Sequence, residues 1–424
     1  MNDVHLSDLK RLNELSSSEK GSYAIADSFV TKINIEINSN PWVSFETNID
    51  ALANKIYENR GKPLSGLIIG VKDVIATEDF QTSMGAPSAW HNHNMGFDAR
   101  IVSNFKMAGA VVGGKTKTSE FAVHKETDVI NPKYPGMTAG TSSSGSAAAV
   151  ANGTAKITLG TQTAGSIARP ASYCGVNSFK PSFGDFPRTG VLKTSDQFDT
   201  LGIFFDEFDS LNIVYDAIAV YGDNYPIQSK KREQSNLKFV SILTGEPFDN
   251  ASENVQGKLI DFAKSLMSGT ELSFRDSSEL RKFVEVRTIH EALYKLNLAY
   301  YFSEERAAGS LSVNLLEFIG VISNSDYENS GTLNKKLNFW KTQFSKATDE
   351  MLIITLAANT GAKVQDASYD SDCNVIITAS GRPQIVLSDF VFDEYGRSIG
   401  VSFSGPKNSD TKLLKLLESL LPVR

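Results

Sequence analysis

The reading of the fold turns on the stretch Thr138-Ala139-Gly140-Thr141-Ser142-Ser143-Ser144-Gly145-Ser146-Ala147-Ala148-Ala149-Val150-Ala151-Asn152-Gly153. Every residue in it except Val150 and Asn152 is Gly, Ala, Ser or Thr, a composition that on its own describes a flexible linker. Its second half argues otherwise. Ala147 to Ala151 is a strong helix former, and Asn152-Gly153 supplies a helix stop. Ile157-Thr158-Leu159 then reads as a strand, and Gly160 to Ser166 as a second loop of small residues. Two such loops, separated by one helix and one strand, can meet at one edge of a sheet. Small side chains there let backbone amides approach a ligand closely.

The same alternation extends on both sides. Leu67-Ile68-Ile69-Gly70-Val71 is a short branched apolar run that predicts a buried strand ending at Lys72-Asp73. Ile101 to Ala110 predicts a helix and Val111-Val112-Gly113 a strand. Helices and strands in this order imply a layered α/β protein. The first 60 or so residues read as helices joined by short turns, with Ser16-Ser17-Ser18-Glu19 as a helix start. Residues 230–365 read as mostly helical. There Ile289, Leu293, Leu296 and Tyr300, and again Leu333, Leu337, Trp340 and Phe344, recur at helical spacing and are expected to pack a core. Val386 to Ser404 returns to strands around the turn Asp393-Glu394-Tyr395-Gly396, and Leu413 to Leu421 closes as a helix. No internal repeat is present.

Composition narrows the function classes. The 424 residues are 41% hydrophobic and 21% charged, with a net charge of −7, ordinary values for a globular protein. No lysine- or arginine-rich stripe offers the clustered positive charge that nucleic acid requires, so none is expected as a ligand. The polar start Met1-Asn2-Asp3-Val4-His5 lacks the basic and apolar regions of a secretory signal. No run of about 18 apolar residues predicts a membrane span, and a cytoplasmic location is the expectation. Cys174 and Cys373 are too few and too far apart for a disulfide framework or a zinc site.

Three pieces carry chemistry: Gly70-Val71-Lys72-Asp73, Gly140-Thr141-Ser142-Ser143-Ser144-Gly145-Ser146 and Gly160-Thr161-Gln162-Thr163-Ala164-Gly165-Ser166. A serine is a weak nucleophile at neutral pH and needs a base beside it. A lysine serves as that base only when neutral, which burial promotes. A second hydroxyl can relay the proton, because it both donates and accepts. The loop 160–166 can aim successive N–H groups at one spot, as an oxyanion hole requires. Composition does not choose among Ser142, Ser143 and Ser144 for the relay.

These residues resemble the amidase signature family of serine amidohydrolases. The resemblance is densest from Gly66 to Gly202 and returns weakly from Gly381 to Leu414. Its strongest segment runs from Gly160 to Gly175, with Lys180-Pro181 just beyond, and Gly113-Gly114-Lys115-Thr116 and Asp199-Thr200-Leu201-Gly202 also fit. The resemblance implies a single domain over residues 1–424 with a large mixed sheet covered by helices on both faces. Within it, 1–60 is an N-terminal helical segment and 61–205 the signature core. Residues 230–365 form the substrate-pocket region, and 366–424 return to the core. It implies Ser166 as nucleophile, Ser142 as relay and Lys72 as base. The backbone N–H groups of Thr163, Ala164, Gly165 and Ser166 would form the oxyanion hole. The implied reaction is hydrolysis of a carboxamide C–N bond in a small-molecule substrate, with no metal and no cofactor. The chain would act as a monomer or homo-oligomer. Its specificity would come from residues 85–135 and 285–360.

The chain departs from the family pattern within its loops. Gln162 stands where the family often has Asp, and Ala168 where it often has Arg, with Arg169 one place later. Thr141 replaces a usual glycine. These departures bear on how the loops are held. Two rival functions fit the same residues: the amidase component of a glutamine-dependent, tRNA-dependent amidotransferase, working with a partner, and a non-catalytic scaffold. Among other candidates, Cys174 is expected to be a buried structural thiol, and His91 and His93 surface residues rather than metal ligands. Lys115 is expected to be structural, and Asp199 to anchor a loop through backbone hydrogen bonds.

Overall fold

The computed structural model describes residues 9–86, 96–123, 126–207, 211–219, 237–243, 250–268, 270–276, 278–364 and 374–420. Its centre is one mixed sheet of eleven strands. These are β1 (Trp42–Phe45), β2 (Ile68–Lys72), β3 (Val111–Thr116), β4 (Ile157–Gln162), β5 (Asn177–Lys180), β6 (Thr200–Phe205), β7 (Phe239–Ile242), β8 (Ser273–Phe274), β9 (Met351–Leu356), β10 (Gln384–Phe392) and β11 (Ser398–Ser404). Across the sheet they run β1-β3-β2-β4-β6-β5-β10-β11-β9-β7-β8.

Local sequence explains most elements. All five residues of β2 are buried, which fits its branched apolar run in the interior of a two-faced sheet. The helix Glu19–Ile35 starts where Ser18 accepts a hydrogen bond from the Gly21 amide at 3.1 Å. The alanine run forms the helix Ser144–Ala151, and Asn152 and Gly153 end it.

Parallel pairing decides where the small-residue loops go. β2 lies between β3 and β4 and is parallel to both. Parallel neighbours need crossover connections. The chain makes them through the helices Arg100–Met107 and Ser144–Ala151. The carboxyl ends of β2, β3 and β4 therefore lie at the same end of the sheet. The two loops meet above these interior strands rather than at a lateral edge, because β2 and β4 are third and fourth in the order. β4 also runs further than its apolar residues predict: its pairing with β6 continues through Thr161↔Leu201 and Gln162↔Thr200.

Other differences are additions to expected helical regions. β1 interrupts the N-terminal helices and pairs with β3. Residues 230–365 contribute β7, β8 and β9 to the far side of the sheet. The helices Val286–Tyr301 and Asn324–Thr348 pack there around Leu293, Leu337, Trp340 and Phe344. Trp340 and Phe344, one helical turn apart, stack with ring centroids 4.9 Å apart. Tyr300, expected in that core, is exposed. Among the described residues no helix is long and apolar enough to cross a membrane.

Gly145 locks the serine run to its neighbours. A Cβ there would lie 2.4 Å from Lys117 N, 2.6 Å from Pro41 O and 2.7 Å from Lys117 O. All three are backbone atoms, and Lys117 N donates to Pro41 O at 2.8 Å across the same gap. Gly145→Ala is expected to destabilise the fold by about 1–3 kcal/mol, read as a lower urea midpoint with an unchanged slope. A midpoint equal to wild type would contradict this packing.

Candidate active site

Lys72 is the last residue of β2 and pairs with Thr116 of β3. Its side chain is 0% exposed. Its Nζ lies 3.0 Å from Ser142 Oγ, 2.9 Å from Ser143 Oγ and 2.7 Å from Thr161 Oγ1. All three partners are neutral hydroxyls. Burial pushes the ammonium well below a lysine's ordinary range, and the negative charge of Asp199 opposes that shift more weakly.

The hydroxyls around Lys72 differ in what they can do with a proton. Ser143 Oγ donates to Thr161 O at 3.2 Å. Ser144 Oγ pairs with Thr127 Oγ1 at 2.7 Å, away from the lysine. Ser146 Oγ donates to Leu159 O at 2.9 Å. Among the described residues, Lys72 Nζ is the single hydrogen-bond partner of the Ser142 hydroxyl.

The loop after β4 is held by its carbonyl oxygens. His290 Nε2–H donates to Thr163 O at 2.8 Å, Thr378 Oγ1 to Ala164 O at 2.6 Å, and the Arg169 amide to Gly165 O at 2.9 Å. In a planar trans peptide the following N–H points opposite the carbonyl. Pinning these three oxygens outward turns the N–H groups of Ala164, Gly165 and Ser166 the other way. Among the described residues, the amides of Thr163, Ala164, Gly165 and Ser166 donate to no protein acceptor. Ser166 ends this loop and is half-buried. No hydrogen bond joins it to Ser142 among the described residues.

Gln162 holds the loop from below. Its Oε1 accepts from the Ile167 and Ala168 amides at 2.8 and 3.0 Å. Its Nε2 donates to Thr378 Oγ1 at 2.9 Å and Gln384 Oε1 at 3.1 Å. Gln384 in turn donates to Asn374 Oδ1 and Ser402 Oγ, each at 2.8 Å. This buried network is built from neutral groups and uses the full bonding capacity of the Gln162 amide.

Asp199 anchors a loop as its type and place predict. Its Oδ2 accepts from the Thr194 and Ser195 amides at 2.7 and 2.8 Å. Its Oδ1 accepts from Thr163 Oγ1 and Thr194 Oγ1, both at 2.7 Å. Burial still raises this carboxyl, and the hydrogen bonds oppose the rise. Lys115 is fully buried, donates to Ile75 O and to Thr82 Oγ1, and lies 3.9 Å from Asp73. Burial lowers it to about 8. Cys174 is a buried free thiol that burial pushes up, as expected of a structural cysteine. His91 and His93 lie outside the described residues.

Several residues of the site escape a reading of the sequence. Thr161 and Ser143 as lysine partners, His290 and Thr378 as clamps, and Gln384 and Asn374 as network members all depend on folding. One signal was present for Thr161. Adjacent strand residues point to opposite faces, so Thr161 turns to Lys72 while Gln162 turns to Thr378 and Gln384. Nothing marks His290, which follows Ile289 in an ordinary helical pattern.

Comparison with known proteins identifies the family and the fold. A family model described as Amidase matches residues 28–272. A glutamyl-tRNA(Gln) amidotransferase subunit from Methanothermobacter thermautotrophicus is 36% identical over 214 residues, 46% of this chain and 46% of that one. In that alignment the chain spans just under half the length of its relative. The corresponding subunit from Marinomonas sp. is 26% identical over 91% of this chain and 90% of its own. A solved structure described as an amidase superposes with a TM-score of 0.79 at 21% identity, covering 98% of this chain and 100% of the other.

The burial of Lys72 makes a prediction about stability. Its proton affinity is lowered by folding, so between the folded and unfolded values the unfolded chain holds the extra proton. Stability then rises with pH across that window. Lys72→Met removes this dependence. The melting temperature of the variant relative to wild type is expected to be highest near pH 7 and to fall as the pH approaches about 10, near the value for an unfolded lysine. A difference that stayed flat over this range would contradict a depressed lysine.

Proposed function

Because this chain belongs to the amidase family, we propose that it hydrolyses a carboxamide C–N bond through Ser166, Ser142 and Lys72. The observation that carries the reading is Lys72 itself, buried without an ion-pair partner among the described residues and 3.0 Å from Ser142 Oγ. A neutral amine has two N–H groups and one lone pair. Ser143 is a donor to Thr161 O, so it accepts from the amine, and Thr161 can accept the second N–H. The lone pair is then left for the Ser142 hydroxyl.

In the proposed mechanism Ser166 Oγ attacks the substrate carbonyl. Its proton passes to Ser142, and the Ser142 proton passes to Lys72 Nζ. Negative charge forms on the former carbonyl oxygen, and the aimed N–H groups of the 163–166 loop stabilise it. The C–N bond breaks as the relay returns a proton to the leaving amine. An acyl ester on Ser166 remains. Water, activated by the same relay, then releases the acid and restores Ser166.

A second reading is favoured by the relatives named as glutamyl-tRNA(Gln) amidotransferase subunits. In that case the amide would be glutamine and the product ammonia would be used by a partner protein. Ammonia release from glutamine by the purified chain, without and with a candidate partner, separates the two readings. Hydrolysis of other amides by the chain alone supports the first.

Turnover of a panel of primary amides, anilides and ureas tests the assignment. Ser166→Ala is expected to lower the rate by about a thousandfold or more in a folded protein. Ser142→Ala should lose about a hundredfold or more. Ser143→Ala should lose less, since its proton is engaged with Thr161 O. If Ser143→Ala proved more damaging than Ser142→Ala, the relay would be misassigned. A folded Ser166→Ala enzyme that kept about a tenth of its activity would remove the nucleophile.

A further inference from the structure

A cavity of about 850 Å3 lies beside the 160–166 loop, and its walls include Thr161, Thr163, Phe183, Arg188, Lys407 and Asn408. Two cations from distant parts of the chain lie near the Phe183 ring. The Arg188 guanidinium lies 4.8 Å from the centroid of its ring, and Lys341 Nζ lies 5.9 Å from the same centroid. Lys341 Nζ is also 6.0 Å from the Phe198 ring. Lys407 belongs to the cavity wall itself.

None of the three forms an ion pair among the described residues. Among the described residues Arg188 uses only Nη1, which donates to Asp196 O at 3.3 Å and Asp199 O at 3.2 Å. Its Nε and Nη2 are left to other acceptors. Two acids border the cavity, and both are engaged. Asp185 turns Oδ2 to the Tyr215 hydroxyl at 2.7 Å, and Asp199 holds the Thr163, Thr194 and Ser195 donors described above. Burial and the like charge of Lys407 lower Lys341 to about 8.

Cations gathered without an ion-pair contact repel one another, and more strongly where water is partly excluded. An anion between them removes that repulsion. The open side of a guanidinium matches two oxygens of a carboxylate or phosphate. The Phe183 ring holds Arg188 and Lys341 without neutralising them. We propose that this cavity is a binding site for a small oxyanion, a carboxylate or phosphate group, held by Arg188 and Lys407 at its wall and drawn by the charge of Lys341 beside Phe183. Because Thr161 and Thr163 share its wall, the anion is either an acidic group carried by the amide substrate or a free anion that acts on the neighbouring loop.

The test is calorimetric titration of the full chain with inorganic phosphate and with glutarate, for wild type, Lys407→Gln and Lys341→Gln/Lys407→Gln. Circular dichroism checks folding, and the exposed Lys407 provides a single variant that leaves the core alone. Saturable binding of at least one anion is expected, weakened at least tenfold in the double variant and measurably in the single one. No saturable heat with either anion, or equal affinity in folded variants, overturns the proposal. This readout needs no turnover, so it fails or succeeds separately from the amidase reading. Kinetics then identify the source. Competition with an acidic amide but not a neutral one places the anion on the substrate, while a changed rate for a neutral amide identifies a free effector.

Discussion

A lysine carried to the end of a fully buried strand is the constraint on which the site depends. Among the described residues, Lys72 has no solvent and no carboxylate at its Nζ, only three hydroxyl groups. Leaving a charged ammonium there costs more than leaving an amine, because burial penalises the charged form. The fold thus lowers the proton affinity of an amine that would be an ordinary cation on the surface. Everything else at the site is arranged around that amine: a serine run delivered by one crossover helix and a loop delivered by the adjacent parallel strand.

The loop is shaped by contacts made behind it. His290, Thr378 and the Arg169 amide each take one carbonyl, and the opposite faces of those peptides become donors. Gln162 ties the same loop to β10 through neutral amides. The neutrality matters for Lys72. A carboxylate at position 162 without an arginine at 168 would add negative charge near the lysine and raise its proton affinity. The departures Gln162 and Ala168 occur together, and the partners of the Gln162 amide are all neutral. Asp199, whose charge acts on Lys72, is itself raised by burial and surrounded by donors.

Much of this was legible in the sequence because it is local. The apolar run before Lys72, the alanine helix after the serines and the stop at Asn152-Gly153 follow from composition and pattern. So do the strands β10 and β11, around a turn at Asp393–Gly396. The strands β1, β7 and β8 are short, and these and β9 sit among helical patterns, where a few apolar residues are shared by both readings. The clamps were invisible for a different reason. Thr378 meets Ala164 across more than two hundred residues and His290 meets Thr163 across more than a hundred, and no periodicity records such a pairing. The choice of Ser142 over Ser143 likewise needs the acceptor of each hydroxyl, which only the folded chain supplies.

The central claim is that Lys72 is a neutral amine near neutral pH. The direct measurement is an NMR titration of lysine side chains in protein labelled at Cε, with Lys72 assigned from the Lys72→Met spectrum. The account predicts that Lys72 loses its proton well below the ordinary lysine value of about 10.4, while exposed lysines titrate near it. A Lys72 resonance that remained in its protonated position up to about pH 10 would contradict the account.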